Sequence, residues 1–245
     1  MPGAEFYPFR PPATPGFNQV LLDDERPSDT LENTNYGLRA SGLLSGWDLS
    51  AFYYRSMSTA PTFYRQVEPA PTPTVVFQPR HDRIWQVGGT LGKDLRSFVV
   101  KGEIVFTAGR GFEVTRLSEP TGVVTQDTLD YIVGLDFTLP YEGRLNLQAF
   151  QRIFFDHDPD ILFDEVESGV SLLVSAKVLP RVEPQLLIIQ GLNANDRMIR
   201  PRITWYPHRN MRLAFGVDVF SGPANGFFGR FADSDRVYGE MRYSF

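Results

Sequence analysis

Apolar and polar side chains alternate along most of this 245-residue chain, and that period of two constrains the fold more than any other feature. In 129–139, Leu129, Tyr131, Val133, Leu135 and Phe137 fall on one face, and Asp130, Ile132, Gly134, Asp136 and Thr138 on the other. The last residues repeat the pattern, with Val237, Gly239, Met241, Tyr243 and Phe245 against Tyr238, Glu240, Arg242 and Ser244. Further alternation sets Leu213, Phe215, Val217 and Val219 against Arg212 and Asp218, Ile203 and Trp205 against Arg202 and Thr204, and Leu145 and Leu147 against Asn146 and Gln148. Segments 47–54 and 170–178 behave alike; 36–42, 85–91 and 98–106 follow more loosely, and 186–190 reads as a strand with poor alternation. The reading is an all-β chain with about eleven strands.

The connectors alternate in length. Tight turns at 43–46, 92–95, 140–143, 180–183 and 207–210 are separated by longer loops at 56–82, 108–127, 156–165, 193–197 and 221–235. Short turns at one end of a sheet and long loops at the other are the plan of an up-and-down transmembrane β-barrel. Residues 1–34 are rich in Pro and acidic side chains, and read as an arm or an extracellular loop ahead of the strands of 35–245.

Composition agrees with this plan without requiring it. The chain is 42% hydrophobic, yet its mean hydropathy is slightly negative because half of each alternating strand is polar. No apolar run approaches the ~20 residues of a membrane helix; Leu186 to Ile189 is among the longest. The absence of cysteine excludes a disulfide framework, a thiolate metal site and a cysteine nucleophile. A net charge of −5 argues against a nucleic-acid partner.

Periodicity alone does not say which face meets the core. A soluble sandwich or lipocalin-like barrel packs its apolar face inward; a membrane barrel turns it to lipid. Three features favour lipid. The polar face carries mixed charges suited to a hydrated, cross-braced lumen: Arg39, Asp48, Lys101, Glu103, Asp130, Asp136, Lys177, Arg200, Arg202, Arg212, Asp218, Glu240 and Arg242. Aromatics sit near strand ends (Tyr36, Trp47, Tyr53, Phe137, Trp205, Tyr206, Phe220, Tyr243, Phe245), where interfacial girdles lie. Apolar residues occupy alternate positions up to the final Phe245.

The ending RVYGEMRYSF, with Met241, Tyr243 and Phe245, resembles the C-terminal signature read by the assembly machinery of Gram-negative outer-membrane barrels. ENTNYGLRASGLLSGWDLSAFYY, VVTQDTLDYIVGLDFT, LNLQAFQR, IRPRITW and GFFGRFADSDRVYGEMRYSF resemble the C-terminal half of a family of large, porin-like proteobacterial outer-membrane proteins. The resemblance covers about residues 16–245. It implies an outer-membrane location, contact with outer-membrane lipid and lipopolysaccharide, and passage of small solutes or partnership with an inner-membrane exporter. It supplies no catalytic residues and no cofactor.

Strand parity bears on closure. Bacterial barrels have an even strand number, so eleven strands imply either part of a larger barrel or a twelfth strand at 17–22. Residues 1–22 lack a basic start and apolar core, hence a signal peptide, which also points to the larger barrel.

The remaining motifs point to structure. GGTLGKDL lacks the early glycine and Ser/Thr of a P-loop, and AGRGFEV reads as a loop tip. His81, His157 and His208 show no metal spacing. Asp156, Asp158 and Asp160 have the alternating carboxylates that Ca²⁺ uses, but Pro159 interrupts them and no EF-hand glycine follows; a solvated acidic loop is the alternative. Arg200, Arg202 and Arg212 either guide anions or brace the wall against Asp218, Glu240 and Asp136. No Ser–His pair at one height on adjacent strands argues for an enzyme. The 56–82 loop is expected to fold inward and constrict the lumen.

Overall fold

The computed structural model describes residues 11, 16–28, 30–69 and 73–245. It is all-β: no α-helix occurs among these residues, only short 3-10 turns at Leu31–Asn33 and Gly229–Phe231. All eleven expected strands form: β2 (Tyr36–Leu44), β3 (Trp47–Met57), β6 (Arg83–Asp94), β7 (Val99–Glu113), β8 (Val123–Leu139), β9 (Gly143–Phe155), β10 (Val166–Ser175), β11 (Val182–Gly191), β12 (Arg197–His208), β13 (Met211–Ser221) and β14 (Arg236–Tyr243). Each pairs antiparallel with its neighbour in a single up-and-down sheet ordered β14 through β6, then β3 and β2. At the tight-turn end, Ser45 and Gly46 both adopt positive φ (50° and 77°), the requirement of a two-residue type I′ hairpin.

The sheet is not closed. Its edges, β2 and β14, pair with nothing else among the described residues. Eleven alternating strands leave these edges running in the same direction, so pairing one with the other would be parallel.

The 17–22 segment does not supply a twelfth barrel strand. β1 (Asn18–Leu21) instead pairs in parallel with β5 (Thr74–Arg80), which pairs with β4 (Thr62–Glu68) in a separate three-stranded sheet around Phe63, Val75 and Phe77. This small sheet also corrects the expected inward fold of 56–82. It packs on the long β7–β8 hairpin: a Cβ on Gly111 would meet Thr62, and the Phe63 amide donates to Glu113 at 3.0 Å. Gly111 and Glu113 stand opposite Thr125 and Val123, on the face of the hairpin that carries Leu129 and Val133 further down. Arg65 locks the contact by donating to the carbonyls of Thr115, Arg116 and Glu119 at 2.7–2.9 Å.

Other long loops do cross the charged face. Phe163 stacks on Phe154 at 5.7 Å, in a small core with Phe112, Val114 and Ile161. Phe228 and Phe231 pack on Phe220. Buried strand residues mark the same side: Ile84, Thr107, Thr128, Phe154, Ser175, Met198, Thr204, Ala214 and Asp218 share the face of the charged residues. That face is therefore the enclosed one. The opposite face is exposed and apolar, with Leu38, Val87, Ile104, Val133, Val170, Ile203, Phe215 and Val237 on eight of the eleven strands.

Candidate functional site

The pairing register puts twelve of the thirteen candidate charges on the enclosed face: Arg39, Asp48, Lys101, Glu103, Asp130, Asp136, Arg200, Arg202, Arg212, Asp218, Glu240 and Arg242. Lys177 lies two residues beyond β10, in the turn, where it pairs with Glu142. Charges on one face of adjacent strands stand within reach of each other, so they pair across the sheet. Lys101 pairs with Asp136 at 2.5 Å, and Asn146 also donates to Asp136. Arg152 pairs with Asp130 at 2.6 Å. Arg200 and Arg236 converge on Asp218, which is fully buried. Arg202, Arg212 and Arg242 converge on Glu240 at 3.0, 2.5 and 4.0 Å. Arg39 donates to Ser50 at 3.2 Å, and Ser50 bonds Thr90 at 2.8 Å. Asp48 and Glu103 make no ion pair among the described residues.

Bracing of the three arginines against Asp218 and Glu240 is thus observed. Asp136 does not join them, because it sits on β8 and is taken by Lys101 and Asn146. Other charges of this face escaped the sequence reading, Glu167 and Glu183 among them. Arg144 and Arg152 extend the Asn146 and Gln148 series by twos on either side, but Phe150 and Phe154 share their side and mask the polarity of the face. Arg236 begins β14 one residue before the segment read as a strand.

Where the loops cross this face they line a half-open cavity of about 540 Å³, with Glu103, Asp130 and Arg152 on the sheet and Leu162, Phe163 and Phe228 from the loops. Buried Asp196 fastens this mouth. Its Oδ2 accepts the Phe228 amide at 2.5 Å, its carbonyl accepts the Gly191 amide at 2.8 Å, and a Cβ on Gly191, Gly222 or Gly226 would strike it.

The acidic loop has a structural role. Asp158 holds Arg116 through two 2.6 Å bonds. Asp160 accepts from the Thr115 amide and hydroxyl and from the Arg116 amide at 2.6–2.9 Å. Hydrogen bonds from Arg116 and Thr115 hold the two carboxyls below their ordinary values. Asp156 stands apart, exposed at a positive-φ turn. No group of three His, Asp or Glu side chains placed to hold a metal occurs among the described residues. His81 and His157 bond the backbone carbonyls of Ser58 and Phe163, and His208 ends β12. In the outer sheet, burial and the bond to Asp82 push the Tyr64 phenol up.

The apolar face carries aromatics at both ends of its strands. Trp85, Phe106 and Phe155 contact in a row toward the long loops, with centroids 5.3 and 5.9 Å apart. Toward the tight turns lie Phe98 against Phe137, and Trp47 beneath the Lys93 ammonium. Tyr36, Tyr53, Trp205 and Tyr243 share this face; Phe245 lies beyond β14 and is exposed. Tyr206 and Phe220 do not. Alternation puts Tyr206 on the side of Arg202 and Thr204, where it bonds Glu183 at 3.0 Å, and Phe220 stands opposite Met198 under the loops. No protein-family model and no curated protein sequence matches this chain.

Proposed function

We propose that the eleven-stranded sheet is wall of an outer-membrane β-barrel whose charged face lines a water-filled path for small solutes. The observation that carries this reading is the division of the two faces. One side of the large sheet is cross-braced by ion pairs, and the other, below the small sheet at its long-loop end, presents exposed apolar side chains on β2, β6, β7, β8, β10, β12, β13 and β14. A soluble sandwich covers such a surface with a second sheet. The dimensions fit lipid: residues 129–139 rise about 34 Å at ~3.4 Å per residue, and a tilt of about 40° leaves roughly 26 Å against an apolar band of ~25 Å. The two aromatic rows then lie at the interfaces, with the small sheet and long loops outside the cell.

In this reading Met241 and Tyr243 offer β14 to the assembly machinery, the apolar face meets outer-membrane lipid and lipopolysaccharide, and the tight turns face any inner-membrane exporter. An all-antiparallel closure takes an odd number of strands beyond these eleven. The loop-lined mouth favours a second reading, a plugged barrel that binds without conducting. Planar bilayers separate the two. Stepwise conductance from the folded protein supports passage, and a folded, inserted protein without conductance steps overturns it in favour of the plugged barrel.

A further inference from the structure

Charge is unevenly distributed around the enclosed face. On β12, β13 and β14 it holds five guanidiniums, Arg200, Arg202, Arg212, Arg236 and Arg242, against two carboxylates, Asp218 and Glu240. Arg200 and Arg236 share Asp218, which leaves three arginines around Glu240. The intervening strand provides no bulk there. β13 contributes Ala214 opposite Glu240 and Thr204, and Gly216 opposite Arg202, so Arg202 reaches across β13 through a trough. Gly216 is required beneath it, since a Cβ would run into the Tyr238 ring.

The hydrogen-bond inventory of this cluster is incomplete. Arg202 and Arg212 each donate to Glu240 through a single terminal nitrogen. The Nε of each is buried and bonds nothing among the described residues. A buried guanidinium donor without an acceptor is unfavourable. Arg202 on β12 and Arg212 on β13, each with an unbonded Nε beside the small residues Ala214 and Gly216, together offer N–H donors of the kind that take an oxyanion.

We propose that the Arg202–Arg212–Arg242 cluster is a binding site for a small oxyanion of the phosphate, sulfate or carboxylate class. The anion sits beside Glu240, between the Arg202 and Arg212 guanidiniums, and accepts from the unbonded Nε of each. As part of a solute path this inference rests on the proposed lumen, and it makes that lumen anion-preferring at its tight-turn end. The site itself needs only the fold. A phospholipid headgroup shares this chemistry, but the cluster lies on the face opposite the apolar one, so the occupant is a free ion.

Inorganic phosphate tests the site on the full-length protein folded in phosphate-free detergent. At equal ionic strength, phosphate raises Tm above the value in chloride, and the Arg202→Gln/Arg212→Gln variant weakens the apparent phosphate affinity at least tenfold. The Arg202→Lys/Arg212→Lys variant keeps the charge but loses the planar edges and also weakens it, whereas Arg96→Gln, in a tight turn, does not. In bilayers the wild type passes phosphate in preference to potassium, and the Gln variant loses the preference. Stabilisation by phosphate without conductance upholds the site and removes the solute path. Conductance with equal Tm in phosphate and chloride overturns the site and leaves the path. Stabilisation only by added short-chain phosphatidylglycerol also overturns it, as does a Lys variant with wild-type affinity.

Discussion

Asp218 shows what a single residue does in this wall. It is fully buried on the enclosed face, yet it keeps its charge company through Arg200 on one neighbouring strand and Arg236 on the other. One carboxylate thereby fastens β12, β13 and β14. Asp218→Ala strands two guanidiniums, and breaking a buried pair from one side costs about 3 kcal/mol. Arg236→Gln removes a side chain that is 64% exposed and retains the Arg200 bond, for a cost of ~1 kcal/mol or less. Thermal unfolding in detergent ranks the two, and equal effects would contradict the bracing. At the acidic loop the residues respond to pH. Asp158 and Asp160 titrate below the ordinary aspartate value of 3.8 because Arg116 and Thr115 favour their charged forms. Their contribution is therefore complete above that value and declines as pH falls through the lower, folded-state values. Limited proteolysis should leave 156–165 protected at neutral pH and cut it increasingly below about pH 4, where the unfolded-chain carboxyl titrates. An Arg116→Gln variant should already be cut at neutral pH; unchanged protection of that variant would contradict the assignment.

The elements divide by how they were legible in the sequence. Strands of the large sheet were readable because each has one enclosed and one exposed face, and the period of two survives in Leu129–Phe137 and Val237–Tyr243 without tertiary information. β4 and β5 were not, and β1 was read only as a possible twelfth strand of the large sheet. Val75, Phe77 and Pro79 do alternate, but they lie beside prolines 69, 71 and 73 and before Pro79 itself, which read as loop. The parallel β1–β5 pairing joins residues 56 apart, Asn18 to Thr74, and no local pattern announces it. The site divides in the same way. Twelve charges were legible from face parity alone. Arg152 was hidden because the aromatic core of the mouth interrupts the polar face, and Tyr206 and Phe220 were grouped with the aromatics at strand ends although alternation puts both on the polar side. Asp196 gave no sequence signal, since its role depends on Gly191, Gly222 and Gly226, which approach only in the fold. Asp196→Ala should release the β13–β14 loop while the sheet persists. Protease cleavage within 222–235 should accelerate several-fold with strand content unchanged by circular dichroism; a loop as resistant as wild type would refute the fastening.

At the scale of the whole molecule, the two faces of one curved layer do opposite work. Ion pairs and loops fill the enclosed side, and on the apolar side only the small sheet touches the long-loop end, leaving side chains such as Val87, Ile104 and Val133 exposed. Val133 stands in the middle of that side and Asp136 on the other. Val133→Arg places a guanidinium at mid-height, at a cost of about 2–4 kcal/mol in lipid. It should block insertion into liposomes, whereas Asp136→Asn, on the enclosed face, should insert as wild type does. The chain has no cysteine, so single cysteines introduced from 129 to 139 can each carry one nitroxide label. Their accessibility to oxygen and to a water-soluble nickel chelate, measured in vesicles, tests the orientation of the wall most directly. Labels at 129, 131, 133, 135 and 137 should favour oxygen, as groups in lipid do, and labels at 130, 132, 134, 136 and 138 should favour nickel. A profile without alternation, or one in which the odd-numbered positions are closed to both reagents as in a protein core, would contradict the account.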